Sequence, residues 1–151
     1  MKKTKIIVVI GLVSLSGFFW ARPAPQQDNS LTFNRVWIDH LPQNPREKAS
    51  VFLALEEEEF GIFQEASTFQ GNYDLFGFRQ KGDQLDLVLL QDEKRALVGI
   101  SASRCNQKGF DYCLELSGAP RGPKRYLSKK GWEVDSQAEA MTLVQKLSPR
   151  E

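Results

Sequence analysis

Alternating apolar and polar residues mark the chain from Gly71 onward. The segments NYDLFGFRQ, LDLVLLQ and RALVGISAS (72–80, 85–91 and 95–103) follow one another in this pattern. A period of two places successive side chains on opposite faces of a pleated strand, so each segment predicts a half-buried β-strand. Lys81-Gly82-Asp83 and Asp92-Glu93-Lys94 lie between them and supply the turns of consecutive hairpins. Phe110–Leu116 and Arg125–Val134 predict a further pair across the Gly/Pro-rich loop SGAPRGPK. At the front of the series, Leu31–Ile38 is aromatic and β-branched and predicts another strand. The sequence DHLPQNPREK after it, with two prolines and polar turn formers, predicts a loop.

Ala49–Ala66 is open to two descriptions. Asn44-Pro45-Arg46-Glu47 resembles a helix start, and Ala49 through Glu59 contains several good helix formers. Val51, Leu53 and Leu55 nevertheless alternate, and Phe60 and Ile62 open a second alternating set after the acidic run. Two strands joined around Glu56–Glu59 are the favoured expectation. The acidic run is then an exposed turn. Its carboxylates are hard oxygen donors, but they lack the spacing of a calcium loop.

Asp135 or Ser136 caps a predicted terminal helix through Leu147, with Met141, Leu143, Val144 and Leu147 on its apolar side and Pro149 as a stop. The fold class is therefore mainly β, an antiparallel meander of about seven or eight strands with a carboxy-terminal helix. Closure into a small barrel would protect the sheet edges; an open, curved sheet backed by the helix is the alternative. The order of elements resembles a lipocalin-like barrel in architecture alone. That resemblance implies, as a second functional expectation, binding of a small apolar or amphipathic ligand.

The amino-terminal segment has a different pattern. Lys2, Lys3 and Lys5 precede the apolar run IIVVIGLVSLSGFFW, and the polar stretch ARPAPQQDNS follows it. This is the order of a secretory signal, and the run is shorter than a usual membrane-spanning helix. Small residues do not align cleanly before Ala21 or Ala24, so an uncleaved anchor stays open beside cleavage. Residues 1–24 are read as signal or anchor, 25–30 as a polar linker and 31–148 as one β-rich domain, placed in the periplasm or outside the cell.

Processing changes the charge. The whole chain carries +1; removing residues 1–24 removes four basic side chains and no acidic ones, leaving −3 over about 127 residues. Residues 28–103 carry seven basic against thirteen acidic side chains, whereas residues 104–131 carry seven against two. Such segregation can orient a protein toward an acidic partner, although basic residues on neighbouring strands also form ordinary solvated faces. The candidate interaction surface comprises Arg121, Lys124, Arg125, Lys129 and Lys130, with Tyr126 and Trp132 nearby. Its expected partners are an envelope protein or an anionic membrane surface. Export and the negative mature charge weigh against nucleic acid.

Cys105 and Cys113 flank NQKGFDY, in which Lys108-Gly109 can return the chain. An oxidising compartment favours their pairing as a hairpin staple. No CxxC arrangement is present, and His40 is the single histidine, so neither redox catalysis nor a Cys/His zinc cluster is supported. No cofactor is expected. Phe60, Phe63, Phe69, Tyr73, Phe76, Phe78, Phe110 and Tyr112 either fill a small β core or line a ligand cavity. An enzyme would have to assemble around His40, for example with Ser50 and Asp74, and no nucleophile motif accompanies these residues. The leading expectation is an exported, noncatalytic envelope protein that binds or stabilises a partner.

Overall fold

The computed structural model describes residues 24–149; the predicted signal or anchor therefore lies, except for Ala24, outside the described residues. Eight antiparallel strands form a closed up-and-down barrel: β1 (Trp37–Ile38), β2 (Ala49–Leu55), β3 (Phe60–Ala66), β4 (Gly71–Lys81), β5 (Gln84–Leu89), β6 (Arg95–Gln107), β7 (Phe110–Ser117) and β8 (Arg125–Ser128). Ile38 pairs with Val51 on one side and Leu127 on the other, which closes the ring. Helix α1 (Gln137–Leu147) follows.

The favoured description of Ala49–Ala66 is the one adopted. Glu56–Glu59 are exposed in the β2–β3 turn, where the Glu59 amide bonds the Glu56 carbonyl at 3.2 Å. Two boundaries differ from expectation. Leu31–Ile38 is not one strand: Asn29–Thr32 form a short 3-10 helix capped by Asp28, and only Trp37–Ile38 join the sheet. The Asp28 carboxylate accepts from the Ser30 amide and hydroxyl, a local bond that outcompetes extended pairing. Arg125–Val134 likewise shortens to Arg125–Ser128, because the chain turns at Gly131 with φ +88° before Glu133 bridges to Arg35.

β2 explains why its stretch reads ambiguously. Phe52 and Ala54 point into the barrel, where they join Trp37, Phe63, Phe76, Phe78, Leu85, Leu87, Leu89 and Leu114. Val51, Leu53 and Leu55 point outward and are buried too, in a second cluster with Val36, Ile38, Trp132 and Val134. Leu143, Val144 and Leu147 of α1 pack on that cluster and Ala140 is buried within it. Met141, expected on the same side, is only partly buried and does not join the cluster. A strand covered on both faces loses its polar alternation and resembles a buried helix. Ser136 caps α1 by accepting from the Glu139 amide at 3.2 Å, while the Glu139 carboxylate accepts from the Asp135 amide at 2.8 Å.

Cys105 and Cys113 form the expected disulfide, with Cα atoms 5.7 Å apart. It spans a bulge in the β6–β7 ladder between Arg104 and Gln107. Lys108 and Gly109 make the turn, with φ of +52° and +80°. Two successive positive φ values match the right-handed twist of the flanking strands.

Candidate functional site

The two ends of the barrel are built differently. At one end Phe33 enters the core and stacks on Phe78 with ring centroids 5.7 Å apart. The adjoining 3-10 helix is held there by the Trp37 indole, which donates to the Thr32 carbonyl at 3.0 Å. Arg35, buried, donates to the Lys129 carbonyl at 2.9 Å, pairs with Glu133 and lies 4.1 Å from the Tyr112 ring centroid. Desolvation pushes the Glu133 carboxyl up, but hydrogen bonds from the Glu133 and Gly131 backbone and the bond and charge of the Arg35 guanidinium outweigh it, leaving the group below its ordinary range. This end is plugged.

At the other end the inward faces of the strands change from apolar to polar. Register places Ser50 opposite Glu65, Glu65 opposite Asn72, and Phe63 opposite Asp74, all on the inner side of the wall. These residues, with Gln64, Arg121, Gly122 and Tyr126, line a cavity of about 220 Å³ in the mouth. Arg121 reaches across from the β7–β8 loop. Its Nε donates to Asp74 at 3.1 Å, its Nη2 to Asp92 at 3.5 Å and its Nη1 to the Pro120 carbonyl at 2.9 Å. The β7–β8 and β5–β6 connections and the start of β4 are thereby tied together over the opening. Desolvation raises the Asp92 carboxyl, but bonds from Lys94 and the nearby Arg121 hold it below its usual range.

Tyr126 forms part of the floor. It is 1% exposed, and its hydroxyl has no hydrogen-bond partner among the described residues. Gly122 makes room for that hydroxyl: a Cβ on it would sit 2.2 Å from the oxygen, and its φ is +75°. Burial drives the Tyr126 phenol far above its ordinary value, with the Asp39 charge adding to the shift. A folded pKa raised in this way leaves stability intact below the unfolded value and erodes it as pH rises beyond about 10. Tyr126→Phe is therefore expected to keep or raise stability near neutrality by about 1 kcal/mol, since it removes an unsatisfied buried hydroxyl. It should also flatten the alkaline decline, as urea titrations between neutral and alkaline pH would record.

The basic residues singled out from sequence do not share one surface. β8 carries the chain from one end to the other, so Arg121, Lys124 and Arg125 lie toward the open mouth and Lys129, Lys130 and Trp132 toward the plug. Several already have partners. Lys124 pairs with Glu115 at 3.0 Å, Arg121 is held as above, and Lys129 Nζ lies 5.2 Å from the Phe110 ring centroid. Arg125 lines an outer groove of about 200 Å³ with Asp39, Ser101, Ser103 and Glu115. The Lys130 side chain is exposed, and its backbone amide donates to Asp111 at 2.8 Å. Neither aromatic anchor is presented to solvent: Tyr126 belongs to the barrel core and Trp132, 8% exposed, to the cluster beneath α1.

The aromatic set also divides. Phe63 and Phe76 pack with centroids 4.9 Å apart, and Phe76 and Phe78 at 6.0 Å, so these rings fill the interior. Phe110 packs edge-on to Trp132 outside the barrel core. Phe60 and Tyr112 are half-buried. Phe69 and Tyr73 are 62% and 64% exposed. No triad forms at His40. Its Nδ1 lies 3.0 Å from Asp39 and its Nε2 3.2 Å from Glu47, while Ser50 and Asp74 line the mouth cavity without it. Among the described residues no group of three or more His, Cys, Asp or Glu side chains is placed to hold a metal ion.

The mouth cavity escaped sequence reasoning although a signal for it existed. The inner faces of β3 and β4 change from Phe63 to Glu65 and from Phe76 to Asp74 and Asn72 toward the same loop. A polar break shared by neighbouring strands marks the solvated end of a filled barrel. No family model, curated protein or solved structure matches the chain.

Proposed function

We propose that this chain is an exported, noncatalytic binding domain of the cell envelope that recognises a protein partner with the open end of its barrel. One observation carries this assignment. Among the described residues, the large apolar side chains left exposed, Leu41, Phe69, Tyr73, Leu90 and Leu97, belong to the loops and strand ends of that end, around the mouth tied by Arg121. Exposed apolar side chains gathered at one end of a domain and set among polar groups suit an interaction site. Phe69 and Tyr73 among them supply rigid aromatic area of the kind that anchors interfaces. The mixed charge of the surrounding loops, with Arg46, Lys48, Asp92, Glu93, Lys94 and Arg95, favours a protein surface over a uniformly anionic bilayer. The disulfide suits an oxidising compartment.

Site-specific photo-crosslinking in the native host tests the assignment. A photoreactive residue at Phe69 or Leu90 is expected to yield one discrete adduct that contains a second polypeptide and comes from the envelope fraction. The same probe at Asp83 or Gln107, at the plugged end, should yield none. The double change Phe69→Ser and Leu90→Ser should abolish an adduct formed from Tyr73 while altering stability by no more than about 0.5 kcal/mol, because both side chains are at the surface. Equal crosslinking from both ends, or recovery of the chain from the cytosol alone, would overturn the proposal.

A further inference from the structure

We propose that the mouth cavity is a saccharide site that takes one neutral, pyranose-sized sugar ring. This rests on assigning recognition to the open end and adds a ligand class to it. The cavity is about 220 Å³, larger than the ~150 Å³ space that admits benzene, so a single six-membered ring with its substituents fits.

Its chemistry is that of hydroxyl recognition. Ser50 contributes a hydroxyl, Asn72 an amide, Glu65 and Asp74 carboxylates, and Tyr126 a phenol, all converging from the inner wall. Sugar hydroxyls both donate and accept, and these groups together provide both functions. Phe63 and Tyr126 close the base of the cavity as core residues, 4% and 1% exposed, so recognition rests on the polar groups and not on ring stacking.

Charge selects against ionic ligands. Arg121 takes Asp74 Oδ2 at 3.1 Å and Lys48 takes Glu65 Oε1 at 3.1 Å, so each carboxylate is neutralised at one oxygen and keeps a second to accept from a neutral donor. An organic cation would compete with these two ion pairs, and an anion would face both carboxylates. The buried Tyr126 hydroxyl is the most telling group. It has no partner among the described residues and is covered by Gly122, so a small displacement of the Gly122 backbone would let a sugar hydroxyl reach it.

Amide NMR of the disulfide-bonded domain would be followed during titration with glucose, galactose, mannose, N-acetylglucosamine and short N-acetylglucosamine oligomers. At least one should give saturable shifts in the millimolar range, centred on Asn72, Asp74, Gly122 and Tyr126. A response to monosaccharides identifies a free sugar as sufficient; a response to oligomers alone identifies a glycan chain as the source. Tyr126→Phe and Asn72→Ala should each weaken binding about tenfold, the equivalent of one lost hydrogen bond, without lowering Tm. The proposal fails if no sugar gives saturable shifts, if Tyr126→Phe binds as tightly as wild type, or if choline or arginine occupies the cavity while sugars do not. Crosslinking from Phe69 that persists through such a failure would remove the sugar and retain the partner-binding assignment; loss of both would remove both.

Discussion

Gly61→Ala is expected to destabilise the domain by about 3 kcal/mol, enough to shift its urea midpoint markedly or abolish soluble expression. Gly61 faces inward between Ala54 on β2 and Phe76 on β4. A Cβ there would stand 2.1 Å from Phe76 Cζ and 2.6 Å from the Leu53 carbonyl oxygen. The ring cannot retreat freely, because Phe76 is fully buried against Phe52 and Phe63. The carbonyl belongs to the wall itself. An extra methyl therefore forces the backbone or several aromatic rotamers to move in a close-packed interior. Gly77→Ala is the matched control. It lies on the outer side of the neighbouring strand, where a Cβ meets nothing nearer than 3.8 Å, and should be neutral or slightly stabilising. Comparable losses at both positions would show that strand flexibility, and not interior crowding, fixes Gly61.

Removing the disulfide by Cys105→Ser with Cys113→Ser should lower stability by about 2.5 kcal/mol, the chain-entropy value for so short a loop. The sequence separation is only eight residues, so less unfolded-state freedom is removed than by a long-range bridge. The bond spans a bulged part of the β6–β7 ladder, where it replaces restraint that regular pairing would otherwise give. Urea denaturation of the oxidised and serine forms would measure the difference. The serine form should keep the barrel signature in circular dichroism, and its loss of hydrogen-exchange protection should be greatest between Arg104 and Phe110. A change below about 0.5 kcal/mol would mean that the bulge is held by packing alone.

Strand alternation was legible wherever one face of a strand meets solvent. β4, β5, β6 and β7 show it, and each was placed by period two and its flanking turn residues. β2 was harder because α1 covers its outer face, a tertiary fact that erases the local pattern. The 3-10 helix was lost because Asp28 outweighs the β-propensity of the residues after it. The candidate surface was least legible. Charges summed along the sequence suggested a basic patch, but Asp74, Asp92 and Glu115, drawn from three other strands and loops, neutralise Arg121 and Lys124 in space. Tyr126 and Trp132 were grouped by proximity in sequence, whereas β8 and the turn at Gly131 send them into different cores.

β1 contributes only two residues to the ring, and its pairing with β8 is the Ile38–Leu127 register alone. The barrel thus has a seam whose two sides come from opposite ends of the domain. Trp37 and Ile38 are buried on its inner and outer faces, so side-chain packing compensates for a short backbone ladder. A chain delivered amino terminus first, from a ribosome or through a membrane pore, would present β2 with its most apolar face uncovered until β8 and α1 arrived. Completion of the fold is coupled to completion of the chain, and the interval before it is when a holdase has most to protect.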